Sequence, residues 1–216
     1  MHRAVAPLMA WHFLPADLRL GNGDGREVRV GETLRHDGPL VLCESGLHAS
    51  ERILDALGYA TGPVISRVRC GGEILRDTDK LVCRERTVEW MLTDTDDLSR
   101  GYSRWCARSV LHLWDAPEIV LRYLDTGDES IRAAAVAAAR ASVWATRDAA
   151  WAASDAARAS ARASVWASVW AAARASAVAA AWAAAKAASE AAWAAARAAQ
   201  NAELERLVME AHHATI

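Results

Sequence analysis

The chain has 216 residues, a net charge of −2 and an apolar fraction of 53%, but ten Trp stand against three Tyr and one Phe, and most of the apolar count is alanine. Those numbers exclude a disordered charged tail, a disulfide-stapled miniprotein and a uniform globular enzyme. Near-neutral charge also removes the clustered Lys and Arg on which phosphate-backbone binding depends.

Residues 1–93 read as a β-rich head. Leu8–Leu14 and Glu27–Val30 read as strands flanking GNGDG at 21–25, a turn-forming stretch. Leu40–Glu44 reads as a short apolar strand, and Ser50 as the cap of a brief helix, ERILDALGY, that stops at the TGP turn of 61–63. Val64–Cys70 and Lys80–Leu92 then alternate, the second with Val82, Val88, Trp90 and Leu92 on one face.

Residues 94–127 read as connecting helices. Leu98, Tyr102, Trp105, Ser109 and Leu113 recur at helical spacing behind an Asp94/Thr95 cap. Asp115-Ala-Pro-Glu118 has the spacing of a capping box, with Asp115 at the N-cap, and Thr126-Gly-Asp-Glu129 repeats it at the start of the tail. Neither Gly nor Pro occurs after Gly127, so residues 128–216 predict one long helix; from Asp128 to His212 it would be a rod of roughly 130 Å if straight. The fold class expected is therefore α+β: a small β-rich head, connecting helices, and a long alanine-rich coiled-coil tail.

The tail can bury something only through a face. On an 11-residue, three-turn repeat, Ala138, Ala145, Ala149, Ala156, Ala163 and Ala167 fall in an arc of small residues. Trp144, Trp151, Trp166 and Trp170 share the opposite arc with Arg140, Arg147, Arg158 and Arg162, and Trp182 and Trp193 continue it with a rotation beyond Arg174. An all-small face lets a second backbone approach closely while Trp side chains lap over it. These alanines and tryptophans are the expected interface of a homo-oligomer. Three alternatives stay open: a solvated helix held by alanine propensity, a hairpin folded back near 171–178, and a groove for single-stranded nucleic acid built from Trp and Arg four apart. The charge balance argues against nucleic acid as a partner.

Cysteines at 43, 70, 83 and 106 form no C-x-x-C pair, which predicts free, mostly buried thiols in a reducing compartment. Cys43, His48, Cys70 and Cys83 have zinc-binding chemistry, but their spacing fits no standard ligand pattern, so no metal is expected. MHRAVAPLMAWHFL is a poor signal peptide, and the uncharged run Ala175–Ala185 is short of the roughly 20 apolar residues of a membrane span. A cytoplasmic protein with no membrane partner is expected.

LVLCESGLHAS (40–50), HLWDAPEIVLRYLDTGDESIRAAA (112–135) and the Trp/Arg-punctuated alanine tail resemble an uncharacterised family of phage and actinobacterial proteins over essentially the whole chain. The resemblance implies a phage or prophage origin, residence in a bacterial host cytosol and, by association, action on host defence. In the head alone, Trp11-His12, Gly46-Leu47-His48-Ala49-Ser50, a short helix ending in Tyr59-Ala60, and Glu89-Trp90-Met91-Leu92 look like the H–Y–E order of ADP-ribosyltransferase folds, with His48 standing in place of Tyr. That likeness implies that His12 and His48 hold the ribose and nicotinamide sides of NAD while Glu89 acts as the electrostatic and acid–base partner.

Taken without the likeness, His12 reads as a core or edge histidine, and Glu89 as an exposed residue opposite the Val88/Trp90 face. His48 reads as a loop residue, where sites concentrate. The reading favoured is an oligomeric, non-enzymatic binding protein with no cofactor. Its binding surface lies near residues 43–50, its target is a host protein or a nucleotide-like molecule, and the tail multiplies its heads. NAD-dependent ADP-ribosyl transfer by His12, His48 and Glu89 is the competing enzyme reading, and nucleic-acid binding by the tail the third.

Overall fold

The apolar run Leu8–Leu14, buried on both faces from Ala10 onward apart from the half-buried His12, forms the first strand, β1, of a five-stranded antiparallel sheet in a computed structural model that describes residues 8–21, 24–113, 115–142 and 190–216. The others are β2 (Thr33–Arg35), β3 (Leu47–Ala49), β4 (Val64–Arg76) and β5 (Leu81–Leu92), with a short helix α1 (Ile53–Gly58) between β3 and β4. The chain divides into two units, Met1–Thr95 together with Glu210–Ile216, and Asp96–Met209.

In the first unit β4 and β5 form a long hairpin, paired from Ile65↔Leu92 to Arg76↔Leu81. β1 lines the free edge of β4, from Leu8↔Cys70 to Leu14↔Val64. The far edge of β5 is shared end to end by β2, opposite Glu85–Thr87, and β3, opposite Leu81–Cys83. The sheet then curls until the Trp11 N–H donates to the Ser50 carbonyl at 2.8 Å and the Ser50 N–H to that of Trp11 at 3.0 Å. Pleating puts Ala10, His12 and Leu14 on the same face as Val64, Ser66, Val68 and Cys70, and across from them Arg86 and Val88. That face holds the core, with Val28, Leu34, Leu47, Ala49 and Leu81. The opposite face carries Trp11, Arg67 and Trp90. The two indoles meet edge to face at 5.7 Å, Arg67 lies 4.3 Å over the Trp11 ring, and His212 stacks on Trp90 at 4.0 Å.

Several expectations are corrected here. A bulge between Arg67 and Val68 pairs Trp90 with Arg67 but Val88 with Val68, so the two are on opposite faces rather than one. Glu27–Val30 is not a strand: its backbone bonds are split, Val28 donating to Leu18 and Gly31, just beyond, to Val88. Leu40–Glu44 is a turn closed by the Val41–Ser45 bridge, because Cys43 (φ 67°) and Gly46 (φ 118°) break the extended run; the strand starts at Leu47. Ser50 does not cap α1. Its backbone is engaged by Trp11, and Arg52 occupies the cap position, with its guanidinium on Asp55.

The second unit holds α2 (Asp96–Arg108), α3 (Glu118–Thr126), α4 (Arg132–Ser142) and most of α5 (Glu190–His213). Val120, Tyr123 and Leu124 of α3 pack with Ala107 and with Ala135 and Ala139 of α4. Asp115 does not cap α3. Pro117 takes the cap position, and a proline biases the residue before it toward extended backbone, so the helix opens only at Glu118. Gly127 ends α3 in the left-handed region, and Asp128 caps a 3₁₀ turn, Glu129–Ile131, by accepting the Ser130 N–H at 2.9 Å. The helix predicted from Asp128 therefore begins at Arg132.

Of the predicted oligomer interface, Ala138 is half-buried against the α3 cluster of its own chain. Ala145, Ala149, Ala156, Ala163, Ala167, Trp144, Trp151, Trp166, Trp170 and Trp182 lie outside the described residues, as does the side chain of Trp193, whose backbone is in α5. Among the described residues no helix is long and apolar enough to cross a membrane.

Candidate functional site

The core face of the head does not close completely. A cavity of about 670 Å³ opens there, walled by His12 and Leu14 of β1, Arg86 of β5 and the segment Cys43–Ser50, with Asp24, Tyr59 and Lys80 also lining it. The wall segment is shaped by the two positive-φ residues Cys43 and Gly46. They turn the chain so that the Cys43 N–H donates to His48 Nε2 at 2.9 Å. An imidazole nitrogen that accepts a hydrogen bond is unprotonated, so His48 is held neutral with its proton on Nδ1. Burial first, and the Arg86 charge as well, lower its pKa from the ordinary histidine value.

His12 is shifted further in the same direction, well below its ordinary value, by burial, then by Arg86, then by His48. Its Nδ1 is buried without a hydrogen-bond partner. At the rim, Lys80 donates to the Tyr59 hydroxyl at 3.2 Å, and that hydroxyl donates to Asp79 at 2.6 Å. Hydrogen bonds to Cys43 and then Tyr59 hold the Lys80 ammonium charged above the usual lysine range. Ser45 Oγ lies 3.0 Å from His36 Nε2, but the same nitrogen faces the Pro39 carbonyl at 3.2 Å. Nε2 therefore carries the proton, and His36 is a donor there rather than a base for Ser45.

Arg86 is the unusual member. It is 2% exposed, its Nη1 donates to the His48 carbonyl, and neither Nε nor Nη2 has a partner. Among the described residues it makes no ion pair: Asp24, the nearby carboxylate of the cavity wall, is held by Arg26 through contacts of 2.6 and 2.7 Å. A buried guanidinium without a counter-charge is costly to the fold, by several kcal/mol in ordinary cases. Sequence reasoning missed it, because in the run RERTVEW a charged residue reads as solvent-facing. The available signal was phase: Arg86 is two residues from Val88, and period two sends both to one face.

Of the residues implied by the transferase likeness, the structure brings His12 and His48 to one cavity and leaves Glu89 out of it. Glu89 sits in the bulge of β5 and pairs with Arg69 at 2.6 Å on the exposed side of the sheet. The four zinc-type residues do not assemble either. Cys70 and Cys83 are buried together in the core, Cys83 donating to the Leu47 carbonyl at 3.2 Å, while Cys43 is exposed. A hydrogen bond to Cys83, and burial, push the Cys70 thiol up. Among the described residues no three His, Cys, Asp or Glu side chains are grouped to hold a metal.

The head is thus an α+β domain whose curled antiparallel sheet holds a polar cavity on its core face. Residues 9–100, which take in this domain and the start of α2, match the family described as Domain of unknown function (DUF7666), so the head is similar to an uncharacterised family. No curated protein and no solved structure matches the chain.

Proposed function

We propose that the protein is a non-enzymatic binding protein whose head takes up a nucleotide-like small molecule and whose tail gathers several heads together. The observation that carries this reading is the cavity of about 670 Å³ walled by the 43–50 segment. Its size is within the range of small-molecule sites, and it combines an apolar lining from Leu14 and Leu47 with a few polar groups. Both histidines of the transferase likeness face it, which supports a nucleotide-like ligand. The carboxylate that transfer chemistry would need, Glu89, is paired elsewhere, and Cys43 meets His48 through its backbone N–H rather than its thiol. Both facts favour binding over turnover.

Segregation of alanine from tryptophan along the tail supports self-association, which would raise the apparent affinity of the heads for a multivalent target. Native mass spectrometry of the full chain tests both parts together. The expected spectrum is a multimer that retains, or takes up on addition of nucleotides, a nucleotide-sized mass on each head. A bare monomer that takes up none of the added nucleotides would overturn the reading.

A further inference from the structure

We propose that Arg86 is the seat of a phosphate group: the ligand of the head cavity carries a phosphate that docks side-on against Nε and Nη2. This rests on the reading of the cavity as a small-molecule site and names the chemistry of its occupant.

The argument starts from which nitrogens are free. A guanidinium offers parallel N–H pairs, and the pair formed by Nε and Nη2 matches two oxygens of one oxyanion. In this head those two nitrogens are buried and without partners, while the third, Nη1, is fixed on the His48 carbonyl. The side chain, which lines the cavity, is therefore anchored by one nitrogen and keeps the other two unengaged. His48, whose carbonyl anchors it, is itself positioned by the Cys43 N–H. The second part is charge. Arg86, Lys80 and Arg19 line the cavity against Asp24 and Glu44, and Asp24 is already neutralised by Arg26. The wall therefore has an excess of positive charge, which suits a phosphate dianion better than a carboxylate. The third is donor supply. His12 and His48 are kept neutral by burial, so they can serve the rest of a ligand as hydrogen-bonding groups without adding charge.

The experiment is a calorimetric titration of the full chain with adenosine 5′-monophosphate, adenosine, inorganic phosphate and acetate at matched ionic strength. Adenosine 5′-monophosphate should bind about tenfold or more tightly than adenosine, inorganic phosphate should compete with it, and acetate should not. Arg86→Met should erase the difference between nucleotide and nucleoside. Arg86→Lys is the second variant if the methionine form fails to fold: it keeps the charge and loses the fork, so nucleotide affinity should still fall by about tenfold. Equal binding of nucleotide and nucleoside, untouched by either substitution, would overturn the phosphate seat and leave the cavity reading standing. Acetate competing as well as phosphate would overturn the choice of phosphate. Absence of binding by all four probes would overturn the seat and the cavity reading together.

Discussion

Replacing Gly46 by alanine should unfold the head at far lower denaturant concentration, because two separate penalties meet at that residue. Gly46 sits at φ 118°, where an L side chain is strained, at a cost of about 1–3 kcal/mol. A Cβ there would also lie 2.4 Å from Val82 Cγ2 and 2.8 Å from Leu40 Cδ2. Val82 is fully buried and has no room to retreat, so overpacking adds about 1–3 kcal/mol. The sum is about 2–6 kcal/mol, and with a urea dependence of about 1–3 kcal/mol per molar the midpoint should fall by about 2 M at the middle of both ranges and by at least roughly 0.7 M.

The head can be read on its own by following reaction of buried Cys70 and Cys83 with a thiol reagent across a urea series. Gly58→Ala is the control, since a Cβ at Gly58 meets nothing within 4 Å; its stability should stay within about 0.5 kcal/mol of the parent. If Gly46→Ala unfolded together with the parent, the turn that forms the cavity wall would not be the one described, and the placement of His48 would fall with it.

Acid should destabilise the head before any carboxylate titrates. The folded-state pKa values of His12 and His48 lie below the unfolded value of 6.5. Above pH 6.5 both states are neutral and nothing changes; below it the unfolded chain takes up protons that the folded head refuses, so stability falls as pH falls. The slope approaches about 1.4 kcal/mol per pH unit for each such histidine until its folded pKa is reached. Urea midpoints measured from pH 7.5 to 5.5 should show the decline, His12→Asn should make it shallower, and a flat parent profile would contradict the burial of both rings. Alkylation of the native protein should modify Cys43 alone of the four cysteines, and all four after denaturation, as read by peptide mass spectrometry; a native adduct on Cys70 or Cys83 would contradict the core.

How much of this was legible depended on whether a feature is made by local pattern or by a partner. Leu8–Leu14 is an apolar run and Val64–Cys70 and Lys80–Leu92 alternate, each over a long enough stretch to declare itself, and the structure forms strands at Leu8–Leu14, Val64–Arg76 and Leu81–Leu92. β2 and β3 are three residues each and exist because β5 offers them an edge, which no window of sequence shows. The bulge that parts Trp90 from Val88 is likewise a property of the β4–β5 register. Asp115 had cap chemistry and lost to the proline two residues later. In the cavity, His48 is singled out by the sequence as a loop residue, but it stands on the short strand β3, paired with Val82, and only the residues before it form the turn. For Arg86 the phase with Val88 points to the core face, but that its charge is left unpaired there is visible only once its neighbours are known.

The mutual hydrogen bonds of Trp11 and Ser50 occupy the middle of what would otherwise be an open sheet margin. An open margin is a template on which another chain can add a strand. If the tail draws several heads into a small volume, each head meets its copies at a local concentration far above that of the bulk solution. A β domain with a bare side would then zip onto its neighbours and precipitate or swap segments. Stitching the first strand to the residue just after β3 closes that margin at its middle, so an added strand would have to displace the Trp11–Ser50 pair before it could zip along β1.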